Sequence, residues 1–406
     1  QVQALGAATL NNVSGGPGVP AELLALARGT GSAVAPTNSL DPNFNLPSQW
    51  RISGSLDWRA NLGFLGDDWR LGADVIWSSI KDSLIWTDLR SVPNTVQATL
   101  PDGRPRYQSL TGDNNTDIFL TNGSRGYSWN LVARVAKDWD NGFSFGMSYS
   151  LQRARDENPG TSSVAFSNYS NAAAEDPNFA AYGISNYQRD DSFRLRLGYE
   201  REFFGDNATR FDLFFNSLAG QRFSYTFQDR SPGQRRAIFG TTQRNDAYLI
   251  YVPDVSSIAA DPRVTYANEA TFAALRDFVL NSPLAKYQGQ IAPKNIGQSP
   301  RFEKMDLRIS QEIPFFLGGK IQLFADFENF LNMLNSDWGS LRQVSFPYLA
   351  PIVDVACPNP ANPAQNITGT NQVCTQYRYS NFREPSQTNF VNISLWSLRL
   401  GVRLSF

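Results

Sequence analysis

The chain contains repeated stretches in which apolar and polar residues alternate. From Trp50 to Leu62 one parity is apolar or small, and the other carries residues such as Arg51, Asp57 and Arg59. A two-residue period of this kind is typical of a β-strand with one apolar face. The pattern predicts nine strands, at residues 49–63, 68–88, 116–138, 142–156, 190–204, 209–227, 301–313, 319–331 and 389–406.

The connections between these strands alternate in length. Some are tight turns, such as Asp140-Asn141-Gly142, a strong hairpin signal. The others are long, at residues 89–115, 157–189, 228–300 and 332–388. Tight turns at one end and long loops at the other are typical of outer-membrane barrels. We therefore predict an all-β fold, a transmembrane antiparallel β-barrel with residues 1–48 as an extracellular loop segment and 49–406 as barrel.

Strand length favours this interpretation over a soluble β-sandwich or a repeat protein. Strands of soluble proteins average about 5–6 residues, and a tilted strand needs about 9–11 residues to cross a bilayer. The predicted strands run to a dozen or more residues, and their apolar face has only lipid to cover it. No apolar run approaches 18 residues, which excludes helical membrane spans.

Two short segments of the predicted loops have helical patterns. Pro20 to Arg28 begins with Pro and is followed by Gly29, which is the usual order at helix ends. Residues 267–281 place Phe272 and Leu275 on one face, together with Phe278 and Val279. We predict both as helices within extracellular loops.

Charged residues occupy the polar parity of the later strands. An Arg or Lys facing lipid at the bilayer midplane costs about 2–4 kcal/mol, so we expect these charges to face the lumen. A structural charge ladder is the favoured interpretation, and contact with substrate is the alternative. The predicted lumen-facing residues are Arg194, Arg196, Asp212, Asp306, Arg308, Asp326, Glu328, Arg399 and Arg403.

Composition narrows the possible chemistry. The 406 residues include no histidine, which removes the commonest metal ligand and the commonest general base. The net charge of -1 gives no indication of a nucleic-acid surface. The acidic segment Thr111–Asp117 lacks the spacing of a known calcium loop, so we favour a solvated loop there. We predict no enzymatic activity, no cofactor and no metal site.

Two cysteines, Cys357 and Cys374, flank a loop-like segment that contains Pro358, Pro360 and Pro363. Disulfides form in oxidising compartments outside the cytosol. We predict that this pair is bonded, which would contribute about 3 kcal/mol.

Several segments together resemble TonB-dependent outer-membrane receptors of the Oar-like type. They are Leu40–Arg51, Gly126–Leu131, Asn245–Pro253 and Ala325–Asn335, the last followed by Trp338-Gly339. Each is modest alone, and their order along nearly the whole chain strengthens the resemblance. The chain end is similar to the insertion signal read by the outer-membrane assembly machinery, with Trp396, Leu398, Leu400, Val402, Leu404 and Phe406 on one parity.

The resemblance implies a 22-stranded barrel plugged by an N-terminal domain, with a short periplasmic box that engages TonB. This chain would supply the C-terminal nine strands, and it lacks the plug, the box and the early strands. It also begins at Gln1 without a signal peptide, so we expect its true start to lie upstream. Because an open sheet edge is forbidden in lipid, a second polypeptide or a missing N-terminal part is expected to complete the barrel.

The function implied by the resemblance is TonB-dependent, energy-coupled transport of a large substrate across the outer membrane of a Gram-negative bacterium. The substrate would be a peptide, a protein or a complexed nutrient, and the direction is open. The C-terminus would be periplasmic, and the expected partners are outer-membrane lipid and, through the missing part, the TonB complex. The alternatives are a structural or adhesion barrel whose loops bind a surface partner, and a passive porin.

Overall fold

The computed structural model describes residues 35–315 and 319–405. Strands make up 49% of the structure and helices 10%, so the all-β class is confirmed. Among the described residues, no helix has the length and apolar character needed to cross a membrane.

Nine long strands form one antiparallel meander, in which each strand pairs with the next along the chain. Each of these strands overlaps one of the nine segments predicted from the alternation. They are β1 (Ser48–Ala60), β2 (Trp69–Asp88), β3 (Gly126–Asp138), β4 (Phe143–Asp156), β5 (Asp191–Phe204), β6 (Asn207–Leu218), β7 (Phe302–Pro314), β8 (Lys320–Glu328) and β9 (Ser397–Ser405). Within the described residues β1 and β9 do not pair with each other, so the sheet is open.

The predicted strand at 116–138 is wrong as a single element. It is two strands, Asp117–Gly123 and β3, separated by Ser124 and Arg125. Gly126 has a φ of 152°, a backbone conformation that side chains disfavour and glycine permits. The first of the two strands pairs with the upper part of β2, and on its other side pairs in parallel with Thr37–Leu40. That last strand lies in the segment predicted as loop.

Three further boundaries differ from the prediction. The segment 209–227 divides near Gly220 into β6 and a strand of another sheet, Arg222–Asp229. The backbone of Gly220 lies so close to the Ser299 carbonyl oxygen that a Cβ at this position would be 1.8 Å from it. β8 ends at Glu328, and Asn329 then takes a left-handed φ of 51° before the helical turn Phe330–Leu334. The helical turn Val391–Ser394 precedes β9, so Trp396 lies just before the strand.

The long connections pack together into one body, here called the cap, at residues 89–115, 157–189, 219–300 and 332–388. Tight turns join the strands at the opposite end of the sheet. The centre of the cap is a five-stranded sheet, ordered Val264–Tyr266, Tyr377–Ser380, Leu349–Ala356, Arg222–Asp229 and Gly297–Gln298. Short strand pairs surround it, at Ser91–Pro93 with Tyr107–Ser109, Tyr251–Val252 with Gln290–Ile291, Arg342–Gln343 with Thr388–Asn389, and Pro358–Asn359 with Asn362–Asn366. One further short strand, Gly183–Ile184, pairs with the end of β4 at Arg155 and Asp156.

The helix predicted at 267–281 is confirmed as Glu269–Leu280. The Asn268 side chain accepts a hydrogen bond from the Thr271 N–H, a standard N-cap. Leu275 and Val279 lie in the core of the cap, so this helix is part of a packed body. The helix predicted at Pro20–Arg28 lies outside the described residues. The remaining helical turns are Ala165–Ser170 and the 3-10 turns Gly63–Leu65 and Pro283–Tyr287.

The main hydrophobic core lies in the cap and is rich in aromatic rings. Phe227, Phe239 and Tyr248 are fully buried, and the last two stack with centroids 3.9 Å apart. Tyr377 and Tyr379, from the strand on the far side of Leu349–Ala356, pack against Phe227. Because an aromatic side chain buries 150–250 Å², this cluster gives the cap a core of its own.

A single buried guanidinium connects three of the four long connections. Arg106 has no exposed surface and donates to the carbonyl oxygens of Ile238, Ala237 and Gln372 and to the Gln97 side chain, at 2.6–3.0 Å. Burial lowers the pKa of Arg106 to about 10. Arg106 therefore satisfies buried acceptors on loops that are far apart in sequence.

Replacing Arg106 with Lys should loosen the cap. A lysine cannot reach four acceptors in a planar fork, and each buried acceptor left unpaired costs about 1–3 kcal/mol. Hydrogen exchange of cap amides in the purified protein should show protection falling by at least tenfold. Arg276→Lys, on the exposed face of the helix Glu269–Leu280, is the matched control. Equal protection in both variants would contradict this role for Arg106.

Candidate functional site

The two faces of the meander differ in chemistry. Residues directly opposite each other across neighbouring strands point to the same side. One row is apolar across seven strands, at Trp58, Leu71, Val135, Met147, Leu195, Phe215 and Met305. We call this side the apolar face and the other the charged face.

The predicted insertion signal lies on the apolar face. Leu398 and Leu400 are opposite Phe327 and Ala325 of β8. Further along β9, Val402 and Leu404 also lie on the apolar face, opposite Leu323 and Ile321. Leu400 is 72% exposed. Trp396 is also exposed, and Phe406 lies outside the described residues. Nothing among the described residues covers this part of the sheet.

Four of the predicted lumen charges form one row of alternating sign on the charged face. Asp212, Arg308, Asp326 and Arg399 are direct cross-strand neighbours on β6 to β9. Arg308 Nη1 lies 3.4 Å from Asp326 Oδ1. Every charge in the row except the two at its ends therefore has an opposite charge on both sides.

The other predicted charges lie on the same face. Arg196 pairs at 3.5 Å with Asp212 of the alternating row, which is 5% exposed and also pairs with Arg210 at 2.7 Å. Glu328 pairs with Arg399 at 3.0 Å, and Asp306 pairs with Lys304 at 3.2 Å.

Two of the predicted charges have no ion pair within the described ranges. Arg194 faces Ser148 and Asn216, and Arg403 faces Gln322. Both are exposed on the charged face, so they are available to groups outside the described sheet.

A further ionic cluster on the charged face was not predicted from the sequence. Arg134 of β3 donates to Asp57 of β1 at 2.7 Å and also to Asp74 of β2. All three occupy the polar parity of their strands, so the alternation contained the signal. The charged face thus extends from β1 to β9.

Among the described residues, no group of three or more acidic or cysteine side chains is placed to hold a metal ion. In the segment Thr111–Asp117, Asp113 and Asp117 both pair with Arg90, at 3.1 and 2.7 Å. Their carboxylates are therefore engaged by a guanidinium.

The cap offers a polar cavity of about 620 Å³ beside the strand Thr37–Leu40. Gln243 is 2% exposed, and its amide has no hydrogen-bond partner among the described residues. Most of the lining residues carry amide, hydroxyl or guanidinium groups, but much of the lining surface is apolar and includes Pro36 and Phe166. The polar residues include Asn38, Asn114, Thr116, Gln234, Arg236 and Gln243. Such a lining suits a ligand that combines donor and acceptor groups with some apolar surface.

The predicted disulfide is confirmed between Cys357 and Cys374. The Cys374 N–H donates to Gln97 Oε1, and Gln97 Nε2 donates back to the Cys374 carbonyl, both at 2.7 Å. The disulfide loop is thereby joined to the first long connection of the cap.

A buried carboxyl group, that of Asp229, lies at the end of the strand Arg222–Asp229 in the cap. Asp229 has no exposed surface, and its Oδ2 has no hydrogen-bond partner within the described chain. Burial raises the pKa of Asp229 from 3.8 to about 6, although hydrogen bonds from Ser231 act in the opposite direction. The charged form is therefore the less favourable one inside the cap.

No family model, curated protein or solved structure matches this chain. The resemblance to TonB-dependent receptors consequently stays a prediction that depends on the motifs of the sequence.

Reversing one charge of the alternating row should destabilise the sheet. Arg308→Glu places a carboxylate between Asp212 and Asp326, which turns two attractive cross-strand pairs into repulsive ones. The variant loses two attractions and gains two repulsions of about 0.2–1 kcal/mol each, so we expect the sheet to lose about 1–4 kcal/mol of stability. The loss of stability can be measured by thermal unfolding in detergent, followed by the change in gel mobility. Arg403→Glu, which faces uncharged Gln322, is the control and should unfold near the wild-type temperature.

Asp229→Asn should stabilise the cap at neutral pH. The folded-state pKa is above the unfolded value, so protonation favours folding, and the native cap loses stability as the pH rises from about 4 to 6. The amide removes that loss, which amounts to roughly 3 kcal/mol well above pH 6.

Hydrogen exchange of the cap at pH 5 and pH 7.5 tests this dependence. The increase in amide protection that Asp229→Asn causes should be larger at pH 7.5 than at pH 5. Asp254→Asn is the control, because Asp254 is exposed and its pKa is lowered by hydrogen bonds from Ser256. An equal gain at both pH values would mean that Asp229 does not titrate in this range.

Proposed function

We propose that the meander is the C-terminal part of an outer-membrane β-barrel whose apolar face touches lipid acyl chains. The observation that carries this proposal is the continuous apolar face, which the described chain leaves uncovered on strands of up to 20 residues. Water would impose a large penalty on such a face. In a bilayer it would be solvated, and the charged face would line an enclosed interior.

Further strands would complete the barrel. Among the described residues, the outer edges of β1 and β9 present unpaired backbone N–H and C=O groups, and each such group costs several kcal/mol in hydrocarbon. Polypeptide outside the described sheet must then pair with both edges. We propose that it belongs to a second chain or to an N-terminal part, and that it also carries a plug. The total of 22 strands follows from the family resemblance alone.

The function we propose is TonB-dependent transport of a large substrate across the outer membrane. The cap has its own core and a polar cavity at one end of the barrel, as expected for a module that captures a ligand. Arg194 and Arg403, which have no ion pair among the described residues, would contact the plug or the substrate inside. A structural or adhesion barrel would use the same cap without transport, and a passive porin would need an open lumen.

Spin labels on adjacent residues of β9 test the membrane placement. Val402 lies on the apolar face and Arg403 on the charged face, and both are exposed. The chain's only cysteines are joined in the disulfide, so Val402→Cys and Arg403→Cys each introduce a single thiol. In outer membranes, a label at 402 should be relaxed by oxygen and a label at 403 by a water-soluble nickel complex. Water-like exposure at both positions would refute the barrel.

Energy coupling distinguishes the transport function from its alternatives. A labelled mixture of peptides too large for general porins should accumulate in cells that express the protein and not in a deletion strain. A protonophore should reduce this accumulation to the level of the deletion strain. Accumulation that survives the protonophore would indicate a porin, and surface binding without entry would indicate adhesion.

A further inference from the structure

A pair of arginines lies on the apolar face at the end of β4 nearest the cap. Arg153 is directly opposite Trp129, and Arg155 is directly opposite Tyr127. Trp129 in turn faces Trp77 of β2, which places all of these side chains on the apolar side of the sheet.

The position of this pair along the strand is fixed by contacts with the cap. Asp156, the last residue of β4, accepts a hydrogen bond from Lys294 of the cap at 2.6 Å. In the other direction along β4, Leu151, Tyr149 and Met147 continue the apolar face. The arginines therefore lie between the apolar region and the cap, next to aromatic side chains.

The acidic residues around the pair are engaged by other cations. Asp156 binds Lys294, Asp190 binds Arg222, and Asp191 binds Arg301 at 2.5 Å.

Arg153 is 47% exposed and is 4.0 Å from Asp190, while one of its nitrogens donates to the Gln152 carbonyl at 2.9 Å. Arg155 is exposed and has no hydrogen-bond or ion-pair partner within the described residues. An excess of positive charge therefore faces outward at this level.

We propose that Arg153 and Arg155 bind the phosphate groups of a phosphorylated glycolipid in the outer leaflet of the membrane. This inference rests on the proposed barrel, in which the apolar face meets acyl chains. A lipid at that face would present its headgroup just beyond the apolar region, at the level of the two guanidinium groups. Guanidinium forms strong, bidentate hydrogen bonds to phosphate, and Tyr127 and Trp129 suit the region between headgroup and chain.

The test compares lipid binding by variants of the intact complex in a neutral detergent. Native mass spectrometry would follow titration with a diphosphorylated, acylated glycolipid and with its dephosphorylated form. We expect the wild-type protein to bind only the phosphorylated form. Arg155→Gln should weaken binding about fivefold, and Arg153→Gln/Arg155→Gln by at least tenfold.

Arg201→Gln is the matched control. Arg201 is exposed on the same face two residues after Tyr199, near the tight turn that follows β5, and is thus at the opposite end of the sheet. Its replacement should leave the affinity unchanged. An equal loss from Arg201→Gln and from Arg155→Gln would overturn the proposed site, because it would reflect only the total charge of the face.

Two further results would overturn the proposal. Competition by inorganic phosphate at low millimolar concentration would identify a site for free anions. Unchanged lipid binding by the double variant would exclude the two arginines. The spin labels at 402 and 403 report separately on membrane placement: if the label at 402 lies in acyl chains and the arginine variants have no effect, this inference fails while the barrel stands.

Discussion

The sheet depends on a strict alternation of side chains over strands far longer than those of most soluble proteins. A shift of one residue in the pairing of any strand would move its whole apolar set to the other side. The charged face resists such a shift as well, because Asp212, Arg308 and Asp326 match in sign only in the observed register. Apolar rows on one side and ionic rows on the other therefore specify the same alignment.

The long strands of the meander were predictable because each one satisfies this constraint locally. Parity identifies which residues share a face, and it placed all nine predicted charges on one side of the sheet. The breaks were harder to predict. Gly126 and Gly220 lie at breaks in segments whose alternation continues past them, and at Gly220 the Ser299 carbonyl approaches too closely for any side chain. That neighbour is 79 positions away in sequence, so no local pattern reports it.

The cap was not predicted, and the physical reason is its mode of packing. Its strands are short, and several of them pair in parallel, as Arg222–Asp229 does with Leu349–Ala356. Residues buried on both sides produce no alternation. Arg106 illustrates the same difficulty, since an arginine in a loop gives no sign that it will be fully buried among carbonyl groups from distant connections. The disulfide was accessible to sequence reasoning because only two cysteines occur.

The ionic links between cap and sheet bear on how a captured ligand could influence the barrel. Arg235 of the cap binds Asp88 at the end of β2 at 2.9 Å, and Lys294 binds Asp156 at the end of β4. These groups are nearly or fully buried, apart from the partly shielded carboxylate of Asp156, so breaking either link would leave a charge without compensation. A rigid displacement of the cap would therefore be costly. A ligand in the polar cavity would act more readily on the side chains that line it, such as Gln243, than on the position of the cap relative to the strands.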